Sequence, residues 1–171
     1  MNRIFKAINL KYVILAIILF SSEQSYCQKP QVTPDVQFLY SKVGGFDVYR
    51  EGQRIGIEFL ILFSGESKVY GIYYKSESVL ERTGHLTNDQ IDTLKYYFKE
   101  TNFFDFPSFL PRTNEIKGPS PSCSIGYREN ETDSMKVVHA ILYQEKRYYP
   151  KGFFTLQSKI ESILYGTKEE K

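Results

Sequence analysis

The chain has 171 residues, with 22 Lys and Arg, 20 Asp and Glu, two Cys, two His and no Trp. This length suits one domain, and the 42% hydrophobic and 25% charged residues argue against disorder throughout the chain. The unusual figure is the aromatic content of 16%, which comes from 14 Tyr and 13 Phe.

Residues 1–27 have the layout of a secretory signal peptide. Three basic residues precede an apolar run of nine, Tyr12 to Phe20, and a polar stretch ends at Cys27. A membrane-spanning helix needs roughly 20 apolar residues, so we expect no transmembrane span in the mature chain. The alternative is that Cys27 is the lipid-modified residue of a bacterial lipoprotein, although Tyr26 is bulkier than the residue that this signal places there.

Removal of the signal peptide changes the charge. Residues 1–27 hold three basic residues and one acidic residue, so 19 of each remain and the mature chain is formally neutral. Nothing then attracts nucleic acid over long range, and we expect no nucleic-acid partner. Export to the periplasm or the medium permits disulfides, but only Cys123 remains. We interpret Cys123 as a half-buried strand residue.

The first half of the mature chain predicts three strands. Residues 28–35 contain two prolines and read as an extended leader. Branched and aromatic residues then predict an antiparallel meander. Its strands are Val36–Val43, Ile55–Phe63 and Val69–Lys75.

A change to helical periodicity follows. Thr87 and Gln90 form a capping box, which predicts a helix over Asn88–Thr101. The phenylalanines of Phe103–Phe106 are expected to tuck under the sheet. Residues 107–121 hold four of the seven prolines and predict a long loop.

The last third predicts a second hairpin, Cys123–Arg128 with Met135–Tyr143, and a final helix over Phe153–Tyr165. Residues 167–171 read as a solvated tail. The order βββ-α-ββ-α indicates a single α+β domain over residues 36–166, with a mostly antiparallel sheet and two helices on one face.

Catalytic and metal signatures are scarce. His85 and His139 are the only imidazoles, and no Cys pair or His-x-x-x-His is present, so we expect no metal site and no cofactor. No nucleophile motif is present either, and we expect a protein that is not an enzyme. A small secreted hydrolase that uses His85 or His139 as its base stays open as an alternative.

The aromatic excess is interpreted first as core packing in a domain that lacks Trp. Contact with a protein partner is the alternative for a few tyrosines, since exposed tyrosines bury a large area at low entropic cost. Tyr70 and Tyr74 share one face of a strand, and the loops over residues 44–53 and 107–121 complete the candidate surface. The candidate residues of the first loop are Gly44, Gly45, Phe46 and Tyr49. Ser134 follows Asp133 in a pattern that resembles the O-glycosylation signal of exported Bacteroidetes proteins.

The chain also resembles a known family. The residues concerned are Gly44-Gly45-Phe46 after the first strand, Gly84 to Leu94 at the start of a helix that ends near Phe104, and the terminal helix that ends at Leu164. This arrangement resembles emfourin-like domains, small bacterial domains that include an inhibitor of the metalloprotease protealysin, and exported α+β domains of Bacteroidetes. The resemblance implies a non-enzymatic, protein-binding role, with a protease as the partner, and it assigns no inhibitory residue.

Overall fold

Within the residues that the structure describes, the fold consists of seven strands and two helices. The strands are β1 Val36–Val43, β2 Arg54–Leu62, β3 Glu66–Tyr73, β4 Val79–His85, β5 Phe109–Leu110, β6 Ser122–Tyr127 and β7 Lys136–Ile141, and the helices are α1 Asn88–Glu100 and α2 Phe153–Gly166. The computed structural model describes residues 35–44, 50–111, 120–142 and 145–166. All of these belong to one compact unit, Pro34–Lys171.

The strands form one sheet in the order β4-β3-β2-β1-β6-β7-β5. Every neighbouring pair is antiparallel except β5 and β7, which run parallel. The predicted α+β class and the mostly antiparallel sheet are therefore confirmed. Within the described residues, neither helix is both long and apolar enough to cross a membrane.

Two strands at the edges of the sheet were not predicted. β4 contains Glu81, Arg82 and Gly84, so its sequence lacks the apolar run that marks a central strand. The prediction of a loop over residues 107–121 is wrong at Phe109 and Leu110, where the chain adds two residues beside β7. Short, partly polar edge strands carry little periodicity, which explains both omissions.

The core lies between one face of the sheet and the two helices. The capping box at Thr87 and Gln90 starts α1 as predicted. Phe98 of α1 packs on two rings of the sheet, with centroids 5.6 Å from Phe38 and 4.5 Å from Tyr127. Burial of such large rings supplies the main stabilisation of the fold.

Helix α2 is fastened to β1 by a partly buried polar cluster. The Tyr40 hydroxyl donates a hydrogen bond to the Glu161 carboxylate. Lys42 Nζ lies 2.9 Å and Gln157 Nε2 lies 3.3 Å from the same carboxylate oxygen. These contacts show that Tyr40 and Lys42 point toward the helices, so the intervening Ser41 points to the opposite face.

A short 3₁₀ turn, Phe103–Asp105, follows α1. Phe103 and Phe106 are buried as predicted, but Phe104 is 50% exposed, so the prediction is wrong for this ring. Asn102 takes a left-handed conformation, with φ of 52°, and reverses the chain at the end of α1. The tight turn that follows directs Phe104 away from the core.

Candidate functional site

Six side chains form a row across the face of the sheet opposite the helices. The pairing register gives Tyr70 on β3, Glu58 on β2, Ser41 on β1, Ser124 on β6, His139 on β7 and Phe109 on β5. Directly paired residues share a face and lie about 5 Å apart, so the row is continuous. We call it the open-face row.

Ser124 and His139 form a hydrogen-bonded pair within this row. Ser124 Oγ lies 2.9 Å from His139 Nδ1. Burial lowers the pKa of His139, because a charged imidazole would lose solvation there. A neutral ring with the proton on Nε2 can accept the Ser124 proton, which is the contact that a nucleophile and its base make.

The His139 ring also supports Phe109. The two rings stack with centroids 5.4 Å apart and an angle of 26° between their planes. Phe109 is 72% exposed, the highest value among the large apolar side chains that the structure describes. Its neighbour Leu110 is 3% exposed, since alternation along β5 turns that side chain into the core. Phe109 is therefore an apolar ring held in place at the surface.

Glu58 is the only charged residue in the open-face row. Burial raises the pKa of its carboxyl. No cation of the described residues lies within ion-pair distance of it. Three strand spacings separate β2 from β7, or about 14 Å, so Glu58 does not orient His139 as the acid of a catalytic triad.

The tyrosines predicted to meet a partner occupy different places. Tyr70 lies in the open-face row, paired with Glu58. Tyr74 lies just past β3, where its amide donates to the Gln53 carbonyl at 2.9 Å, beside the loop over residues 44–53. Gly44 begins that loop and donates to the Ile55 carbonyl at 2.8 Å. The candidates Gly45, Phe46 and Tyr49 lie outside the described residues.

The ends of the two predicted contact loops share one end of the sheet. Val43, the last residue of β1, pairs with Gly56 of β2 on one side and with Ser122 of β6 on the other. The described flanks of the loops over residues 44–53 and 107–121 are therefore neighbours.

The other candidate nucleophiles and ligands do not form a site. His85 is exposed at the end of β4, five strand spacings or about 24 Å from β7, so it cannot act together with His139. Burial raises the pKa of the Cys123 thiol to about 12, which makes it unreactive. Within the described ranges, no three His, Cys, Asp or Glu side chains group in a way that could hold a metal.

Two positions concern modification. Ser134 is exposed just after the turn that joins β6 to β7. Asp133 holds that turn, since it accepts hydrogen bonds from the amide and the side chain of Asn130 at 3.0 and 2.9 Å. Cys27, the candidate lipidation site, lies outside the described residues.

Sequence reasoning identified Tyr70 and His139 separately but not the open-face row. Their alignment depends on the register of strands that are distant in sequence. The Ser124–His139 contact had a local signal, because both residues belong to the predicted hairpin around residues 129–134. A centred turn would have placed them nearly opposite. No protein-family model matches the chain, and a search of curated proteins found no match.

Proposed function

We propose that the chain is an exported, non-catalytic protein-binding module. The proposal rests on Phe109, an apolar ring that is 72% exposed and stacked on His139. Exposed aromatic rings that are already ordered make strong interface anchors, because they bury a large area and lose little freedom on binding.

The surroundings of Phe109 support a protein partner. Next to the ring, the open-face row continues with the hydrogen-bonded Ser124 and with Ser41, which supply polar contacts without net charge. An apolar anchor beside a polar surface is the usual composition of a transient protein interface. The formal neutrality of residues 28–171 favours such a partner over a polyanion.

The binding proposal is tested with two alanine variants. Phe109→Ala removes the anchor, whereas Tyr148→Ala removes another exposed aromatic ring, 44% exposed, from the 3₁₀ turn Lys146–Tyr148. A partner crosslinked to the wild-type protein in its native envelope would be purified and titrated against all three proteins. We expect Phe109→Ala to raise the Kd at least about 30-fold, as truncation of an interface anchor does, and Tyr148→Ala to leave it unchanged. Equal affinity of the two variants would refute Phe109 as the anchor.

The partner that we propose is a protease of the thermolysin type, in keeping with the resemblance to emfourin-like domains. The purified protein would be mixed with such a metalloprotease at increasing molar ratios, and cleavage of a peptide substrate would be followed. We expect inhibition that is complete near equimolar ratio and weaker with Phe109→Ala. Full protease activity at equimolar protein would refute the inhibitor function. The crosslinking experiment would then identify the partner.

Export is proposed from the layout of residues 1–27, with release into the periplasm or the medium after cleavage. The alternative is an envelope lipoprotein or structural component anchored through Cys27. The intact mass of the exported protein separates the two. A mass equal to that of a chain that begins at Gln28 supports release. A mass that includes a diacylglycerol adduct on Cys27 supports the lipoprotein.

The second candidate function is that of a small hydrolase, which the 2.9 Å contact between Ser124 Oγ and His139 Nδ1 favours. Activated esters would be incubated with the wild-type protein and with Ser124→Ala. Hydrolysis that the wild type accelerates and Ser124→Ala abolishes would establish this function in place of the non-catalytic one. Equal rates for the two proteins would exclude Ser124 as a nucleophile for these esters.

A further inference from the structure

A groove with aromatic rings lies beside α1, on the side of the molecule that carries the helices. Its volume is about 640 Å³, which is within the usual range for small-ligand sites. One wall is the stripe of α1 that includes Lys95 and Tyr96, and the other is the turn after α1 with Phe104 and Asp105. Asn130, from the turn between β6 and β7, also lines the groove.

Two exposed rings in this groove are held by contacts with neighbouring side chains. Tyr96 is 60% exposed, and its hydroxyl is hydrogen-bonded to Glu100, a contact that raises the pKa of Tyr96. Phe104 is 50% exposed, and its centroid lies 5.6 Å from that of the buried Tyr127. Rings fixed in this way present flat apolar faces to a ligand at little entropic cost.

The polar side chains of the groove supply both hydrogen-bond donors and hydrogen-bond acceptors around these rings. Three carboxylates and two ammonium groups give a formal charge of −1, and two Asn side chains add amides: Asp92, Asp105, Glu129, Lys95, Lys99, Asn102 and Asn130. The near balance disfavours a phosphorylated or polyanionic ligand. Exposed flat rings within a polar, nearly neutral lining match a ligand with apolar C–H faces and a periphery of hydroxyl groups.

We propose that this groove binds a neutral oligosaccharide. A pyranose ring stacks its C–H face on Phe104 or Tyr96, and its hydroxyls pair with Asp105, Asn102 and Lys95, which supply acceptors and donors. The site uses no residue of the open-face row, so its existence does not depend on the proposed protein-binding function.

The proposal is tested by NMR titration of the ¹⁵N-labelled protein with four neutral probes: cellopentaose, xylopentaose, chitopentaose and maltopentaose. We expect at least one of them to shift the amide resonances of Lys95, Asn102 and Asn130 in a saturable way. Phe104→Ala should weaken that binding about tenfold, whereas Phe109→Ala on the open face should leave it unchanged.

Several outcomes would overturn the proposal. The first is the absence of saturable shifts of the amide resonances at probe concentrations up to about 10 mM. A functional site is expected to have a Kd below that concentration. The second is that the shifts map to the open-face row instead of the groove. The third is unchanged affinity in Phe104→Ala and in Tyr96→Ala. The latter variant removes a ring that is 60% exposed and so preserves the test if Phe104→Ala fails to fold.

Discussion

Glu161 joins α2 to β1 through polar contacts. Its replacement tests how much these contacts stabilise the packing of that helix on the sheet. Its carboxylate accepts hydrogen bonds from the Tyr40 hydroxyl, from Lys42 at 2.9 Å and from Gln157 at 3.3 Å. Glu161→Ala removes the acceptor altogether. Glu161→Gln keeps an amide oxygen for Tyr40 but removes the charge.

The two variants should lower the free energy of unfolding by different amounts. Tyr40 is 1% exposed, so the loss of a charged acceptor for its hydroxyl lowers this free energy by about 1–3 kcal/mol. The ion pair adds less than about 1 kcal/mol, because the Lys42 and Glu161 side chains are 42% and 26% exposed. We expect Glu161→Ala to lower the free energy of unfolding by about 2 kcal/mol and Glu161→Gln by about 1 kcal/mol.

The loss of stability caused by replacing Glu161 should depend on pH. Burial alone would raise the pKa of Glu161, but the hydrogen bonds from Tyr40 and Lys42 outweigh burial and hold this pKa below its usual value. Because the folded-state pKa is below the unfolded one, the carboxylate stabilises the protein above the unfolded pKa, and this contribution is lost as the pH falls through the folded pKa. The difference in the free energy of unfolding between wild type and Glu161→Gln should therefore be largest above the ordinary glutamate pKa of about 4.3 and shrink as the pH falls below it.

Urea unfolding followed by circular dichroism measures both effects. Glu77→Ala, in the exposed turn between β3 and β4, is the matched control and should change stability by less than about 0.5 kcal/mol. If Glu161→Ala is as stable as this control, the contacts of Glu161 do not stabilise the packing of α2 on the sheet. If the difference between wild type and Glu161→Gln stays constant as the solution is acidified, the depressed pKa is refuted.

Two further predictions concern α1 and the buried thiol. Thr87→Ala removes the side chain that accepts from the Gln90 amide at 3.3 Å and should cost about 1 kcal/mol in urea unfolding. Thr93→Ala, within the same helix, should stay within about 0.5 kcal/mol of wild type, and equal losses in both would refute the cap. Burial raises the pKa of Cys123 to about 12, so in a Cys27→Ser chain the remaining thiol should react with a disulfide reagent at least about 100-fold more slowly than in urea. A fast reaction of the folded chain would contradict this burial.

The parts of the fold with a local signal could be predicted from the sequence. Strand β1 has the predicted bounds, Val36–Val43, because its apolar residues and the glycine pair that follows them in the sequence mark it locally. Helix α1 starts where its capping box requires. The edge strands could not be predicted, since β4 pairs on only one side and its sequence is largely polar.

The candidate site was predicted only in fragments for the same reason. Tyr70 and His139 carry signals of their own, an aromatic strand and a lone imidazole. Phe109 lies in a segment that proline content marks as a loop, so the ring that projects from the sheet had no pattern of its own. Long-range register brings these three residues into one row.

The register that builds the core also fixes the open-face row. A slip of one residue in β1 would turn Tyr40 outward and bury Ser41, since successive side chains alternate between the faces. The same slip in β2 would exchange Phe59 with Glu58 and bury a carboxylate at a cost of several kcal/mol. The register that aligns the row is therefore fixed mainly by the packing on the other face. Phe109 and His139 can thus be replaced with little loss of stability, which allows binding at this face to be measured separately from folding.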